Sequence, residues 1–223
     1  MSKARMVLGC AIVMATGVAC AGPEKAVVDR YFGALAAGDN QTLTSFAAVR
    51  LEEPVEAWSI VSASEETSAP ATLPELGKKH ADLVAELDAN KKAANAYALE
   101  RLDEVDEVRE LAKEEKPIPR RLQEIADTWE QYNKTDHELK VSVAEAKEAM
   151  ENEATICRLS VAEMEGFESA AGEVLTKVVQ LMLTIDGQQK PYEMTLRRYV
   201  LDQPEGAPRP TSRWVVYDLK PTG

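Results

Sequence analysis

Apolar positions change their spacing three times along the chain. Val27, Val28, Tyr31, Phe32 and Leu35 fall on one face of a 3.6-residue period, which predicts an amphipathic helix. Pro23 suits its entry and Gly38 a left-handed exit. Asp39 is placed to cap a second, short helix carrying Leu43 and Phe46. Residues 62–72, SASEETSAPAT, read as a loop by composition.

A charged stretch follows in which apolar residues step by three, four and seven. Leu76, Leu83, Leu87, Ala94, Ala98, Leu102, Val105 and Val108 form the first half of the pattern. Pro117 and Pro119 interrupt it, since both disfavour helix interiors. Leu122, Ile125, Trp129, Tyr132, Asp136, Leu139, Val143, Ala146 and Met150 then alternate spacings of three and four. That spacing predicts a coiled-coil seam, with Asp136 as its one polar member and a candidate for fixing register. Trp129 and Tyr132 read as core. A Pro-containing turn between two such helices predicts an antiparallel hairpin roughly 50 Å long at 1.5 Å per residue.

Beyond the hairpin the period falls to two. Val179, Leu181, Leu183 and Ile185 share one face of a predicted strand over 176–185, with Val178 and Met182 on the other. Asp186-Gly187 is a strong two-residue hairpin signal, because a type I′ turn needs positive φ. A second strand over 191–201 alternates Tyr192, Met194 and Leu196, then breaks step at Arg197-Arg198, which reads as a bulge. A Pro-rich loop over 203–210 precedes a last strand over 214–219. The predicted class is α+β: two N-terminal helices packed on a C-terminal antiparallel sheet, with a long antiparallel coiled-coil hairpin inserted between them.

Composition sharpens this division. Residues 73–153 hold 34 charged residues but only Tyr97, Trp129 and Tyr132 among the aromatics; the flanks hold the other nine. The 223 residues therefore divide into a leader (1–19), a discontinuous domain (20–72 with 154–223) and a hairpin insertion (73–153). The formal charge of −12 argues against a nucleic-acid partner, which would call for a basic face. Glu100, Asp103, Glu104, Glu107, Glu110 and Glu114 make one stretch of the hairpin strongly acidic. Two readings of the hairpin stay open: a structural arm with a solvated acidic surface, or a docking arm for an envelope partner or for a second copy.

The first twenty residues read as an export address. Lys3 and Arg5 precede an apolar run, Met6–Thr16, too short to span a bilayer. An ordinary secretory signal cut near Ala19 is one reading. The other follows from Thr16-Gly17-Val18-Ala19-Cys20, which resembles the lipobox of bacterial lipoproteins, with Gly17 where that family usually has Leu. The resemblance implies that Cys20 is the lipid attachment site and the first residue of the mature chain, holding it to a membrane. Ala21 after the cysteine is then compatible with an outer-membrane address facing the periplasm in a two-membrane organism. Two of the 26 basic residues leave with the leader, so 24 face 38 acidic ones and the lipid itself must anchor the body. Ala21-Gly22-Pro23-Glu24 leads straight into the first helix, so the body is expected close to the membrane.

The flanks carry a second resemblance. Val27-Val28-Asp29-Arg30-Tyr31-Phe32-Gly33-Ala34-Leu35-Ala36-Ala37-Gly38-Asp39 looks like the opening helix of nuclear transport factor 2-like (cystatin-like cone) domains, and Arg213-Trp214-Val215-Val216-Tyr217-Asp218-Leu219 is similar to their last strand. This implies a cone-like α+β body, interrupted here by about 80 residues, and leaves a small-ligand-binding or enzymatic pocket as the alternative function.

Candidate chemistry is sparse. No nucleophile elbow, phosphate loop or zinc-protease motif is present, so no catalytic, cofactor-binding or metal residue is assigned. Folding the hairpin at residue 118 sets His137 opposite residue 99, roughly 28 Å from His80 by helix rise, too far to share a metal. Once Cys10 leaves with the leader and Cys20 is acylated, Cys157 stands alone and no intrachain disulfide can form. It reads as a small buried hydrophobe. The expectation is a non-enzymatic, lipid-anchored envelope protein with a helical arm for protein contacts.

Overall fold

The computed structural model describes residues 22–162, 164–202 and 212–222. The leader, Cys20 and the Pro-rich stretch 203–210 lie outside the described residues. The protein is a mixture of helices and antiparallel sheet, of the α+β kind.

Helix α1 spans Pro23–Ala36, with Pro23 in its first turn. It buries Val28, Tyr31 and Phe32, the face its periodicity predicts. Gly38 takes φ +65° and turns the chain into α2, Asn40–Thr44. Asp39 accepts a hydrogen bond from the Thr42 N–H at 3.0 Å and so caps α2.

The sheet is built from β1 (Ala57–Ala63), β2 (Thr67–Pro70), β3 (Gly172–Ile185), β4 (Gln188–Leu201) and β5 (Val215–Pro221). The order is β1-β3-β4-β5, with β2 continuing beside β3, and these pairs are antiparallel. Asp186 and Gly187 both take positive φ, +53° and +69°, and close β3 onto β4 as Ile185 pairs with Gln188. The outer side of β5 is covered by residues 46–48: Ala48 N–H donates to the Val216 carbonyl and Val216 N–H to the Phe46 carbonyl.

Two expectations are corrected. The stretch 62–72, expected as loop, holds the end of β1 and all of β2. The side chains of β2 are exposed, and its strand character comes from pairing with the long β3 rather than from an apolar face of its own. The sheet is therefore not purely C-terminal. Nor is there a bulge in β4 at Arg197-Arg198 against β3, where the register runs unbroken. The slip lies between β4 and β5, where Thr195 pairs with Asp218 and Leu196 with Val216, so Tyr217 is the extra residue. The change in pattern at Arg197 has another cause. Tyr192, Met194 and Leu196 face the core under α1 and α2, whereas Tyr199 and Leu201 face a second core on the opposite side of the sheet.

That second core joins the sheet to the long helices. Leu73 begins α3 (Leu73–Glu100); α4 is Leu102–Lys113; α5 is Gln123–Val161. Leu73, Ile156, Cys157 and Val161 pack with Phe167, Val174, Tyr199, Leu201 and Val215. From there α3 runs antiparallel to α5. Thr72 meets Glu153, Asn90 donates to the Tyr132 carbonyl at 3.3 Å, and the Tyr97 and Tyr132 rings lie 5.7 Å apart. All nine positions of the stripe from Leu122 to Met150 are buried or half-buried. Asp136 pairs with Lys140 one turn along its own helix.

At the far end Val105, Val108, Leu122 and Ile125 form a third, separate core with Trp129 and Tyr97 against it. The chain leaves α4 through Glu115 at φ +52°, and Pro117 and Pro119 follow. One break falls where neither Gly nor Pro signals it: Arg101, at φ −121° and ψ 39°, ends α3 and starts α4. Leu102, placed by its spacing on the inner stripe, is consequently half exposed.

Candidate functional site

Three regions bear on function: the entry to α1, the base of the helical hairpin and its outer surface. At the entry, Gly22 precedes a helix that lies against β1. Glu24 pairs with Lys177 at 3.2 Å, both side chains largely covered. Lys25 pairs with Asp29, and the Trp58 indole N–H donates to Asp29 at 3.2 Å. The Lys25 ammonium first, and then the indole, hold the Asp29 carboxyl below the usual carboxylate range. Phe32 stacks on Trp58 with centroids 5.3 Å apart. These contacts fix the direction in which the chain enters the fold.

The base of the hairpin is held by a polar cluster that sequence reading missed. Glu153, on α5, accepts hydrogen bonds from Tyr199 OH (2.8 Å) and Thr72 Oγ1 (3.2 Å) on one oxygen and from Arg197 (3.2 Å) on the other. The Arg197 guanidinium also lies 3.6 Å over the Tyr217 ring. Ser160, fully buried, donates to the Arg213 carbonyl and accepts the Tyr199 N–H. Arg213 in turn reaches the carbonyls of Leu159 and Ser45. α5, β4 and the segments before α3 and β5 are thus tied at one point. Burial first, and then the Glu153 carboxylate, push the Tyr199 hydroxyl well above its ordinary range. Cys157, beside them, is pushed up to about 12 by burial and by Glu153 and Glu168, which leaves its thiol protonated and inert. The paired arginines at 197 and 198 are the one signal of this cluster that the sequence carries.

The outer surface of the hairpin is charged. Glu107 bonds Arg121 across the tip, and that guanidinium lowers the Glu107 carboxyl. Arg109 stacks on Trp129 at 4.4 Å, so Trp129 is partly buried rather than projecting. Glu100 and Asp103 are exposed beside the break at Arg101, together with Leu99 and Leu102, and Glu110 is exposed further along α4. His80 is half-buried on α3 and His137 exposed on α5. The observed register corrects the expected one: with Thr72 at Glu153 and Tyr97 at Tyr132, His137 sits near the level of residue 90, about 15 Å from His80 by helix rise. Among the described residues no group of three or more His, Cys, Asp or Glu is placed to hold a metal. The space between α1, α2 and the sheet is filled by Tyr31, Phe32, Phe46, Leu181, Met194 and Leu196, each at most 1% exposed. No described helix is long and apolar enough to cross a membrane. Compared with family models, curated proteins and solved structures, the chain finds no match.

Proposed function

We propose that this chain is a lipid-anchored protein of the bacterial cell envelope, held through acylated Cys20, whose helical hairpin serves as an arm for contacts with another protein. The observation that carries the reading is the absence of a stalk. α1 begins at Pro23, three residues beyond the lipobox-like cysteine, and Glu24 is already locked to Lys177. An extended chain covers about 3.3–3.6 Å per residue, so the anchor lies within roughly 10 Å of the folded body. The body is therefore held against the leaflet. A hairpin with its own tip core and an acidic outer face then presents surface beyond the sheet. In this reading α3 and α5 pair as a coiled coil through the Leu122–Met150 stripe, the flanks form a cone-like domain of the nuclear transport factor 2-like kind, and a two-membrane organism carries the protein on its outer membrane facing the periplasm.

Growth with labelled palmitate tests the anchor. The native chain is expected to take up label and to fractionate with membranes, and Cys20→Ser to lose both properties. A soluble, unlabelled native chain would overturn the reading. Replacing residues 74–152 with a short Gly/Ser loop tests the arm: proteins that co-purify with the native chain are expected to be lost, and an unchanged set would remove the docking role.

A further inference from the structure

Between α1 and β1 lies a groove of about 520 Å³. Glu24, Lys25 and Asp29 form its helical wall, and the consecutive residues 58–63 of β1 form the other. Side chains along a strand point alternately to the two faces of a sheet. A groove touched by successive strand residues therefore runs along the edge of β1 rather than over one face. That edge, the one away from β3, has no strand partner among the described residues. The charged side chains of the groove answer one another: Glu24 with Lys177, Lys25 with Asp29, and Asp29 again with the Trp58 N–H. What stays unmatched is the row of backbone groups on the open edge, with the exposed Ser59, Val61 and Ser62 beside it. An extended polypeptide answers such a row group for group, because its own N–H and C=O groups repeat at the same spacing.

Charge around β1 narrows the choice of polypeptide. Residues 57–64, AWSIVSAS, carry no charge, whereas Glu56 bounds them on one side and Glu65-Glu66 on the other, all exposed. A second copy of this chain would bring like charges together in either sense. Antiparallel edges crossing between Ile60 and Val61 set Glu56 against Glu65, and parallel edges in register set each glutamate beside its twin. We propose that the edge of β1 receives an extended segment of another polypeptide, uncharged where it lies along β1 and carrying Lys or Arg at both ends. The regular run Ala57–Ile60 supplies the backbone pairing. β1 slips register between Ile60 and Ser62, so Val61 is an extra residue that ends this run and, with 63% of its surface exposed, offers an apolar contact. The site shares no residue with the helical arm and does not depend on the anchor.

The test uses the native chain purified in detergent, with random dodecapeptides displayed on phage as the probe. Val61→Lys puts a charge on the open edge, and Val141→Lys makes the same change of charge on the exposed side of α5. Both side chains are exposed, so both variants are expected to fold as the native chain does. The native chain is expected to enrich peptides with an uncharged core and basic ends. The enriched peptide, made synthetically, is expected to bind Val61→Lys about tenfold more weakly than Val141→Lys. Methylating alternate backbone amides of that peptide keeps its charge but removes donors, and is expected to cost about tenfold as well. A peptide that binds the two lysine variants equally, or that tolerates the methylation, would overturn the proposal, because its binding would then rest on another face or on charge alone. Failure to enrich any peptide would overturn it too. A native chain that sediments as a dimer while Val61→Lys sediments as a monomer would overturn it in favour of a second copy.

Discussion

Glu153 is the residue on which the junction of arm and sheet depends. Its two oxygens satisfy Tyr199, Thr72 and Arg197, and its side chain is only 13% exposed. Glu153→Ala leaves a largely buried guanidinium and hydroxyl without their acceptor, and is expected to destabilise the fold by about 2–4 kcal/mol in urea unfolding. The double change Glu153→Met with Arg197→Met is expected to recover more than half of that loss, because neither charge is then left stranded. Cys157 and Tyr199 give the junction a pH signature. The Cys157 thiol rises from 9.0 to about 12 on folding, and Tyr199 also rises. Both are acids kept neutral by the fold, so their contribution is fully present below the unfolded values and is lost as pH climbs through the folded ones. Stability should be flat to about pH 8 and fall from pH 9 upward, and Cys157→Ala should make that fall shallower. Folded protein at pH 8 should resist thiol alkylation until urea opens it.

Among the elements, those written in local spacing were legible. The buried face of α1, the Asp39 cap, the Asp186-Gly187 turn and the inner stripe of α5 each depend on residues within a turn or two of one another. Gly187→Ala is a clean test of one. A side chain there meets no neighbour within 4 Å but must hold φ +69°, so a loss of about 1 kcal/mol is expected from backbone conformation alone. What depends on distant partners was not legible. β1 and β2 are strands because β3, more than a hundred residues later, offers them an edge. The hairpin register was not legible either: the connection 114–122 is centred on 118, yet Thr72 meets Glu153 and Tyr97 meets Tyr132, about nine residues from the pairing a straight fold at 118 would give. The break at Arg101 has no Gly or Pro to announce it. The Glu153 cluster joins four segments of the chain, so no single stretch of spacing could reveal it.

At the scale of the molecule, three hydrophobic cores lie in sequence: under α1 and α2, at the hairpin base, and at the tip. The tip core shares no residue with the other two, so the two ends need not open together. In hydrogen exchange, Val105→Ala is expected to speed exchange throughout α4 and the first turns of α5 while leaving β3 and β4 as protected as in the native chain. Slowing or acceleration of the sheet by the same substitution would show that the cores act as one.

The two sides of the hairpin also differ mechanically. α5 runs unbroken for 39 residues, about 58 Å, from the tip core to the sheet, whereas the returning side is jointed at Arg101. A pull applied at the tip therefore travels down α5 as along a stiff strut and arrives at Glu153 and Ser160, while the other side bends at its joint and carries less of the load.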